Sequence, residues 1–176
     1  MKKARELAEL IKLVILDVDG VLTDGSLFFD NTGQEYKAFN SKDGHGIRML
    51  QDAGIEIAII TGRTSELLLH RAKNLQISPS LIYQGYRDKR PALEDLLKKT
   101  ELSPKNIAYV GDDVIDLPIM SKVGMAIAVN DAHHFVIKHS DWVTQASGGR
   151  GAVREVSEMI LDAQGKLASM LDSYLR

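Results

Sequence analysis

The sequence of 176 residues contains no cysteine, which excludes disulfide bonds and metal sites with thiolate ligands. Long hydrophobic runs are also missing, and no apolar stretch approaches the length that crosses a bilayer. Charges at Arg5, Glu6 and Glu9 interrupt the N-terminal segment, where a signal peptide would need an apolar core. From these absences we expect a cytoplasmic protein without a membrane segment.

Neither sign of charge is in excess, since 22 Lys and Arg residues face 24 Asp and Glu residues, for a net charge of -2. This balance disfavours nucleic acid or an anionic membrane as a partner. Internal repeats, low-complexity tracts and Pro/Ser-rich linkers are absent as well. With 44% hydrophobic residues, the chain is predicted to form a single domain over residues 1–176.

Short apolar runs alternate with longer amphipathic segments along the chain. The runs are typical of buried strands and lie at 12–16, 55–60, 81–83, 107–110 and 125–129, with an edge strand at 141–144. Helices are expected at about 44–53, 65–75, 90–99, 114–123 and 150–163. This alternation predicts an α/β fold with a doubly wound, mostly parallel, Rossmann-like sheet.

Residues 26–40 depart from this alternation and predict a protruding β-hairpin, because two β-rich arms flank Asn-Thr-Gly. The hairpin carries four of the nine Phe and Tyr residues: Phe28, Phe29, Tyr36 and Phe39. An isolated hairpin is marginal in water, so it is expected to pack on a neighbouring chain or on its own domain. A tail of about 164–176 ends the chain.

Chemically active residues follow the predicted strands directly. They are Asp-Val-Asp-Gly at 17–20, Thr-Gly-Arg at 61–63, Lys89, and Gly-Asp-Asp-Val-Ile-Asp at 111–116. Ligands of doubly wound sheets bind beyond the carboxyl ends of the strands, so these segments predict one site.

Within that site, Asp17 and Asp19 can divide the work of phosphoryl transfer between them. One carboxylate can act as nucleophile, and the other can protonate the leaving group and later activate water. The alternative is that both merely cap a turn at Gly20, where Asp and Gly are common.

The later acidic residues suggest a metal site. Asp112 and Asp116 would repel Asp17 unless a cation neutralised them, and an all-oxygen cluster suits Mg²⁺. Asp113 is the residue for which helix capping explains the position best.

Thr61 and Lys89 could bind a phosphoryl group, Thr61 through its hydroxyl and the backbone N–H of Gly62, and Lys89 through its charge. An ordinary turn threonine and a solvated lysine are the alternatives.

Taken together, these motifs resemble those of the haloacid dehalogenase-like superfamily of phosphotransferases. The resemblance implies that Asp17 is the nucleophile, that Asp19 is the general acid and base, and that Thr61 and Lys89 bind the phosphoryl group. It also implies that Asp17, the carbonyl of Asp19 and Asp112 hold Mg²⁺. Asp113 and Asp116 would stabilise these ligands without binding the ion themselves. The gaps between the motifs leave no room for a large cap domain.

A closer resemblance is to the capless 3-deoxy-D-manno-octulosonate 8-phosphate phosphatase family of lipopolysaccharide precursor synthesis. It is carried by residues 22–25, 41–47, 108–113 and 148–155. The family implies a sugar-acid phosphate as substrate and a homotetramer, with the hairpin at the interface and the tail or Gly148–Gly151 near a neighbouring site. The implied substrate contacts are Asp19, Asn40, Ser41, Lys42, Asp43, Gly44, Arg48, Thr61, Gly62, Arg63, Arg71 and Lys89.

Three other functions remain open from the sequence. The same chemistry could act on another phosphorylated sugar acid, such as a nonulosonate 9-phosphate. A receiver-type signalling domain uses similar residues, although there the order of the acidic motifs differs. A non-catalytic oligomerisation module would have no need for the four catalytic positions.

Overall fold

The computed structural model describes residues 2–175 and contains a central sheet of six parallel strands. In chain order its strands are β1 (Leu13–Leu16), β4 (Glu56–Ile60), β5 (Ile82–Tyr83), β6 (Ile107–Gly111), β7 (Met125–Ala128) and β8 (Trp142–Val143). The order across the sheet is β5-β4-β1-β6-β7-β8. β1 is thus central, and the chain winds outward from it in both directions. The predicted α/β fold class is confirmed, with each strand within two residues of its expected bounds.

The central strands consist mainly of aliphatic residues because both of their faces are covered. All four residues of β1 and all five of β6 are buried, and the β-branched side chains among them pack well on a pleated surface. Such strands place their apolar mass in the core and leave the polar residues to the loops at their ends.

Eight helices are present in the described part of the chain. They are α1 (Lys2–Ala8), α2 (Ser41–Asp52), α3 (Glu66–Asn74), α4 (Arg90–Thr100), α5 (Leu117–Met120), α6 (His134–Lys138), α7 (Ala152–Ala163) and α8 (Leu167–Ser173). α7 packs against α1 and α2, whereas α5 packs against α4 and against the strands β6 and β7. In α7 the buried residues Val153, Val156 and Ile160 recur at helical spacing, as predicted. No described helix combines the length and the apolar character needed to cross a membrane.

The hairpin consists of β2 (Phe28–Phe29) and β3 (Glu35–Tyr36), which pair antiparallel and form a separate sheet. Its strands are shorter than expected. Leu27, Phe28, Phe29 and Tyr36 are each about half exposed, whereas Phe39 is partly buried against the core of its own domain.

One predicted helix differs from the structure, and the tail, whose structure was not predicted, contains a helix. The helix expected at 114–123 is a 3₁₀ turn, Val114–Asp116, followed by the short α5, which contains Pro118 in its first turn. The tail contains α8, which runs along α2. Lys166 bonds the Ala53 carbonyl at 3.0 Å near one end of α2, and the Tyr174 ring lies 5.4 Å from that of His45 near the other.

Candidate active site

The loops that follow β1, β4 and β6 emerge at one edge of the sheet. The three strands are in register there, because Leu16 of β1 pairs with a residue of β4 and a residue of β6. Asp17, Thr61 and Asp112 come directly after these strands. The structure therefore brings the predicted motifs to the same edge, where a doubly wound sheet binds its ligands.

Asp17 and Lys89 form a buried ion pair at the centre of this edge. One carboxylate oxygen of Asp17 lies 2.7 Å from Lys89 Nζ, and the other accepts a hydrogen bond from the Val18 N–H. Lys89 is fully buried, so it is not the solvated lysine that the sequence left open. Burial alone would lower the pKa of Lys89, but Asp17 and Asp116 outweigh it and the pKa is raised. Lys89 therefore stays charged beside Asp17.

Asp116 connects Lys89 to the loop after β6. Its Oδ1 accepts from Lys89 Nζ and from the Tyr109 hydroxyl, both at 2.6 Å. Its Oδ2 accepts from the backbone N–H groups of Asp112 and Asp113, at 3.0 and 3.2 Å. Asp116 is fully buried and both its oxygens are engaged, so it positions the groups around it. The Asp113 side chain caps the 3₁₀ turn.

The acidic residues at this edge fit a hard divalent cation. Carboxylate oxygens of Asp17, Asp112 and Asp116 all lie within 4.8 Å of one another, and Lys89 is the cation that pairs with this group. Asp112 lies directly over the Gly20 backbone, where a Cβ would come within 2.1 Å of its Oδ2. Asp116 is fully buried and accepts four hydrogen bonds, so Asp17 and Asp112 are the carboxylates of this group that could hold Mg²⁺.

Crowding also changes the acidity of these carboxyl groups. Burial, together with the charge of Asp116, raises the pKa of Asp17 from 3.8 to about 7. Burial and the charges of Asp116 and Asp17 raise the pKa of Asp112 to about 8. A bound cation would offset this excess of negative charge, which is a second reason why the residues fit a metal.

Asp19 belongs to a second charged cluster, which joins the loop after β1 to the hairpin. Its Oδ1 pairs with Lys37 Nζ, which also lies 3.1 Å from a carboxylate oxygen of Glu35. Arg63 closes the ring, with 3.0 Å to Glu35 and 3.7 Å to Asp19 Oδ2. The Lys37 side chain is only 2% exposed. Asp19 Oδ2 is buried and has no hydrogen-bond partner among residues 2–175.

Thr61 is held at the same edge by its backbone. Its N–H donates to the Tyr83 carbonyl at 2.9 Å, and its carbonyl accepts from the Tyr86 N–H at 3.0 Å. Its side chain is buried, and the hydroxyl accepts a weak bond from the Arg63 N–H at 3.4 Å. The turn at Gly62 is open, since the nearest atom to a Cβ there would be 3.8 Å away.

The loop at Asn40–Gly44 starts α2, and its residues have different surroundings. The Asn40 side chain caps the helix by accepting from the Lys42 N–H at 2.8 Å. Ser41 and Lys42 are exposed, whereas Gly44 packs so closely on Arg71 that a Cβ would lie 2.3 Å from its Nη2. Arg71 in turn donates to the Asn40 carbonyl at 3.2 Å and so fixes the loop.

Asp43 and Arg48, two of the predicted substrate contacts, bond other segments of the chain. The Asp43 carboxylate is buried and accepts from the N–H groups of Gly151 and Arg154, at 3.2 and 2.8 Å. It thereby stabilises the start of α7. Arg48 lies two turns into α2 and donates to Gln76, beyond the end of α3. The structure does not bring Arg48 to this edge.

Residues Gly148–Gly151 pack on the active-site loop of their own chain. A Cβ on Gly148 would lie 1.7 Å from the Gly20 carbonyl oxygen, and Gly149 donates to the Val21 carbonyl at 2.8 Å. Arg150 forms an ion pair with Asp24 at 2.9 Å. This segment therefore closes on the loop that carries Asp17 and Asp19.

Three residues at the site were missed by sequence reasoning: Glu35, Lys37 and Tyr109. Glu35 and Lys37 are two apart in the second arm of the hairpin, so alternation places them together, opposite to Tyr36. That pattern could have identified them. Tyr109 lies inside a strand that reads as uniformly apolar, and no local signal distinguishes its hydroxyl.

Comparisons with known proteins agree with this geometry. A family model for haloacid dehalogenase-like hydrolases matches residues 82–155. The 3-deoxy-D-manno-octulosonate 8-phosphate phosphatase of Escherichia coli strain K12 is 54% identical over 160 residues, which are 91% of this chain and 84% of that protein.

Solved structures extend the similarity to the whole fold. The Yersinia pestis phosphatase of the same name has a TM-score of 0.92 and 48% identity, covering 94% of this chain and 89% of that one. The Moraxella catarrhalis phosphatase, in complex with magnesium ion, phosphate ion and a KDO molecule, has a TM-score of 0.95 and 41% identity, covering 99% of both chains. The chain therefore belongs to the haloacid dehalogenase-like hydrolases, in the family of 3-deoxy-D-manno-octulosonate 8-phosphate phosphatases.

Proposed function

We propose that the chain hydrolyses 3-deoxy-D-manno-octulosonate 8-phosphate to the free sugar acid and phosphate, with Mg²⁺ and through an aspartyl phosphate on Asp17. The buried Asp17–Lys89–Asp116 chain beside Asp112 carries this proposal, because it supplies a nucleophile, a fixed cation and a metal site at one point. The choice of substrate rests on the E. coli and Y. pestis relatives, which are similar over most of the chain.

In the first step, an Asp17 oxygen forms a bond to phosphorus and the bond from phosphorus to the sugar oxygen breaks. Lys89 remains charged next to Asp17 and stabilises the negative charge on the phosphoryl group in transfer. The Thr61 hydroxyl and the Gly62 N–H bind a phosphoryl oxygen at the neighbouring strand end. When bound, Mg²⁺ would neutralise charge on the carboxylates and on the phosphoryl oxygens.

Asp19 moves the protons. It protonates the sugar oxygen as that group leaves, and it takes a proton from the water that then attacks the aspartyl phosphate. Its position two residues after Asp17, on a tight turn in which three successive N–H groups donate to the Val18 carbonyl, places it beside the nucleophile.

For substrate binding, we propose that Arg63, Arg71 and Lys42 face the sugar acid together with Asn40, Ser41 and Gly44. Arg63 is 43% exposed next to Asp19, so a carboxylate of the substrate can reach it. Asp43 and Arg48 act indirectly in this scheme, Asp43 by joining α2 to α7.

We further propose that the 176 residues form a single cytoplasmic domain that assembles as a homotetramer through the hairpin. The support is that Leu27, Phe28, Phe29 and Tyr36 are about half exposed on two short strands. α8 directs the end of the tail toward the side of α2 where the Asn40–Gly44 loop lies. We propose that the tail lies near the site of a neighbouring chain.

The test is phosphate release from 3-deoxy-D-manno-octulosonate 8-phosphate and from a panel of sugar phosphates that includes a nonulosonate 9-phosphate. Preference for the first substrate, lost in EDTA and in Asp17→Asn, is expected. Metal-dependent preference for another sugar acid would change the substrate and keep the mechanism. If folded protein with Mg²⁺ releases no phosphate from any of them, the enzyme function is wrong.

A further inference from the structure

The hairpin contributes a lysine with a buried side chain to the acid–base residue Asp19. The Lys37 side chain is 2% exposed and pairs with Asp19 Oδ1 and with Glu35, while Phe28, Phe29 and Tyr36 on the same hairpin are about half exposed. A lysine is seldom buried unless its charge is paired, so this position must be maintained by the two carboxylates.

The two oxygens of Asp19 have different surroundings. Oδ1 is engaged by Lys37, whereas Oδ2 is buried with no hydrogen-bond partner among the described residues and lies 3.7 Å from Arg63 Nε. A buried polar atom without a partner is costly, and at a functional site it indicates a role. Oδ2 is thus the oxygen that is available for a proton.

Glu35 explains how Lys37 can serve Asp19 in both halves of the reaction. Glu35 compensates the ammonium charge at 3.1 Å and is itself held by Arg63 at 3.0 Å. Oδ1 can accept from Lys37 whether or not Oδ2 carries a proton. The ring of four alternating charges therefore fixes the rotation of the carboxyl group.

We infer that Lys37 is a positioning residue that anchors Asp19 Oδ1 and so directs Oδ2 at the leaving oxygen of the substrate. This inference rests on the proposed phosphatase function. In the step it concerns, the phosphorus–oxygen bond to the alcohol breaks, the Asp17–phosphorus bond forms, and the proton on Asp19 Oδ2 passes to the departing oxygen.

The test is the dependence of kcat/KM on the leaving group, because kcat/KM reports phosphoryl transfer to Asp17 and not the later hydrolysis. Three substrates are compared: 3-deoxy-D-manno-octulosonate 8-phosphate, a pentose 5-phosphate without a carboxylate, and p-nitrophenyl phosphate, whose leaving group needs no proton. In Lys37→Met, we expect kcat/KM to fall on the order of 10- to 100-fold with both sugar phosphates, part of the contribution of a general acid. The aryl ester should change by less than about threefold.

Three variants serve as controls. Lys37→Arg keeps a donor and should recover part of the loss, and Glu35→Gln should give a smaller loss with the same leaving-group pattern. Lys3→Met removes an exposed lysine that pairs with Asp141 at 3.0 Å and should leave all three rates unchanged. Thermal unfolding and size-exclusion chromatography establish that each variant is folded and assembled as the unaltered chain is.

Two results would overturn the inference. An equal loss with all three substrates would show that Lys37 only supports the fold of the site. A loss confined to the sugar acid would show that Lys37 binds the substrate carboxylate. If the unaltered chain hydrolyses none of the substrates, it is the phosphatase function itself that fails, so the two failures are distinguishable.

Discussion

At the scale of single residues, the buried Tyr109 hydroxyl contacts two residues of the active site, Lys89 and Asp116. The hydroxyl donates to Asp116 at 2.6 Å and accepts from Lys89 at 2.9 Å, inside a fully buried cluster. We expect Tyr109→Phe to lower kcat roughly tenfold with little change in KM, because Lys89 loses one of its three fixed partners. The free energy of unfolding should fall by about 1–3 kcal/mol. Steady-state kinetics and urea unfolding measure the two effects.

Tyr83→Phe is the matched control for this variant. Tyr83 also pairs with an aspartate and a lysine, Asp95 at 2.8 Å and Lys99 at 3.3 Å, but this group lies partly exposed on β5 and α4. Its removal should leave kcat unchanged. Equal kinetic losses in the two variants would contradict a specific role for Tyr109.

Asp17 and Asp112 make the stability of the metal-free protein dependent on pH. Their pKa values are about 7 and 8 in the folded state against 3.8 for an exposed aspartate, so the folded chain holds more protons than the unfolded chain between about pH 4 and 8. The free energy of unfolding must therefore fall as the pH rises through this window. We expect this decline in urea unfolding in EDTA, and we expect Asp112→Asn to reduce its slope.

Asp88→Asn is the control for the pH experiment. Its hydrogen bonds with Arg90 lower the pKa of Asp88 to about 2, so Asp88 does not titrate in this window and its removal should leave the slope unchanged. Added Mg²⁺ should stabilise the protein more at pH 8 than at pH 6, since the ion competes with protons for the same carboxylates. If the free energy of unfolding in EDTA did not change with pH, the pKa values of Asp17 and Asp112 would not be raised by burial.

At the scale of elements, Gly148 joins two loops that come from distant parts of the chain. A Cβ there would lie 1.7 Å from the Gly20 carbonyl oxygen, which is backbone and cannot turn aside. We expect Gly148→Ala to displace the loop with Asp17 and Asp19, to lower kcat/KM at least roughly tenfold and to cost about 2–4 kcal/mol of stability. Kinetics and thermal unfolding measure this.

Gly33→Ala is the control, because a Cβ at this hairpin glycine would meet no atom within 4 Å. Its φ of +83° imposes only the strain of a left-handed residue, about 1–2 kcal/mol, away from the catalytic residues. Unchanged activity in Gly148→Ala would mean that the two loops move independently.

Most elements of the fold could be predicted because the strands are buried on both faces and therefore consist of continuous apolar runs. Their ends carry Asp17, Thr61 and Asp112, so the predicted site also followed from the topology of a parallel sheet. The 3₁₀ turn at Val114–Asp116, which replaces the start of a predicted helix, could not be predicted in this way. It depends on the Asp116 carboxylate, which accepts hydrogen bonds from the backbone N–H groups of Asp112 and Asp113.

The surroundings of two predicted substrate contacts, Asp43 and Arg48, depend on contacts between distant segments. Asp43 reads as a polar residue at a rim, but its carboxylate stabilises the start of α7 more than a hundred positions later. From the sequence, Arg48 is a basic residue expected near the rim of the site. Its hydrogen bond to Gln76 forms only when α2 and α3 pack together, so the sequence does not indicate it. Spacing along one segment contains no information about such contacts.

At the scale of the whole molecule, the hairpin combines exposed aromatic residues with charged residues that contact the active site. Phe28 and Phe29 are about half exposed, whereas Lys37 pairs with Asp19 and Glu35 pairs with Arg63. A partner that covers the aromatic residues would also hold the charged pair in place. Assembly and catalysis are therefore expected to be linked through this one element.

We expect Phe28→Asp combined with Phe29→Asp to dissociate the proposed homotetramer, because two charges would be buried at the interface without partners. Sedimentation velocity measures the mass, and kcat/KM should fall together with it. Phe135→Asp is the control, since Phe135 is similarly exposed but lies on α6, outside the hairpin, and should leave the mass unchanged. A tetramer that survives the double substitution would place the interface elsewhere. A monomer with full activity would show instead that the hairpin holds Lys37 in position without help from a neighbour.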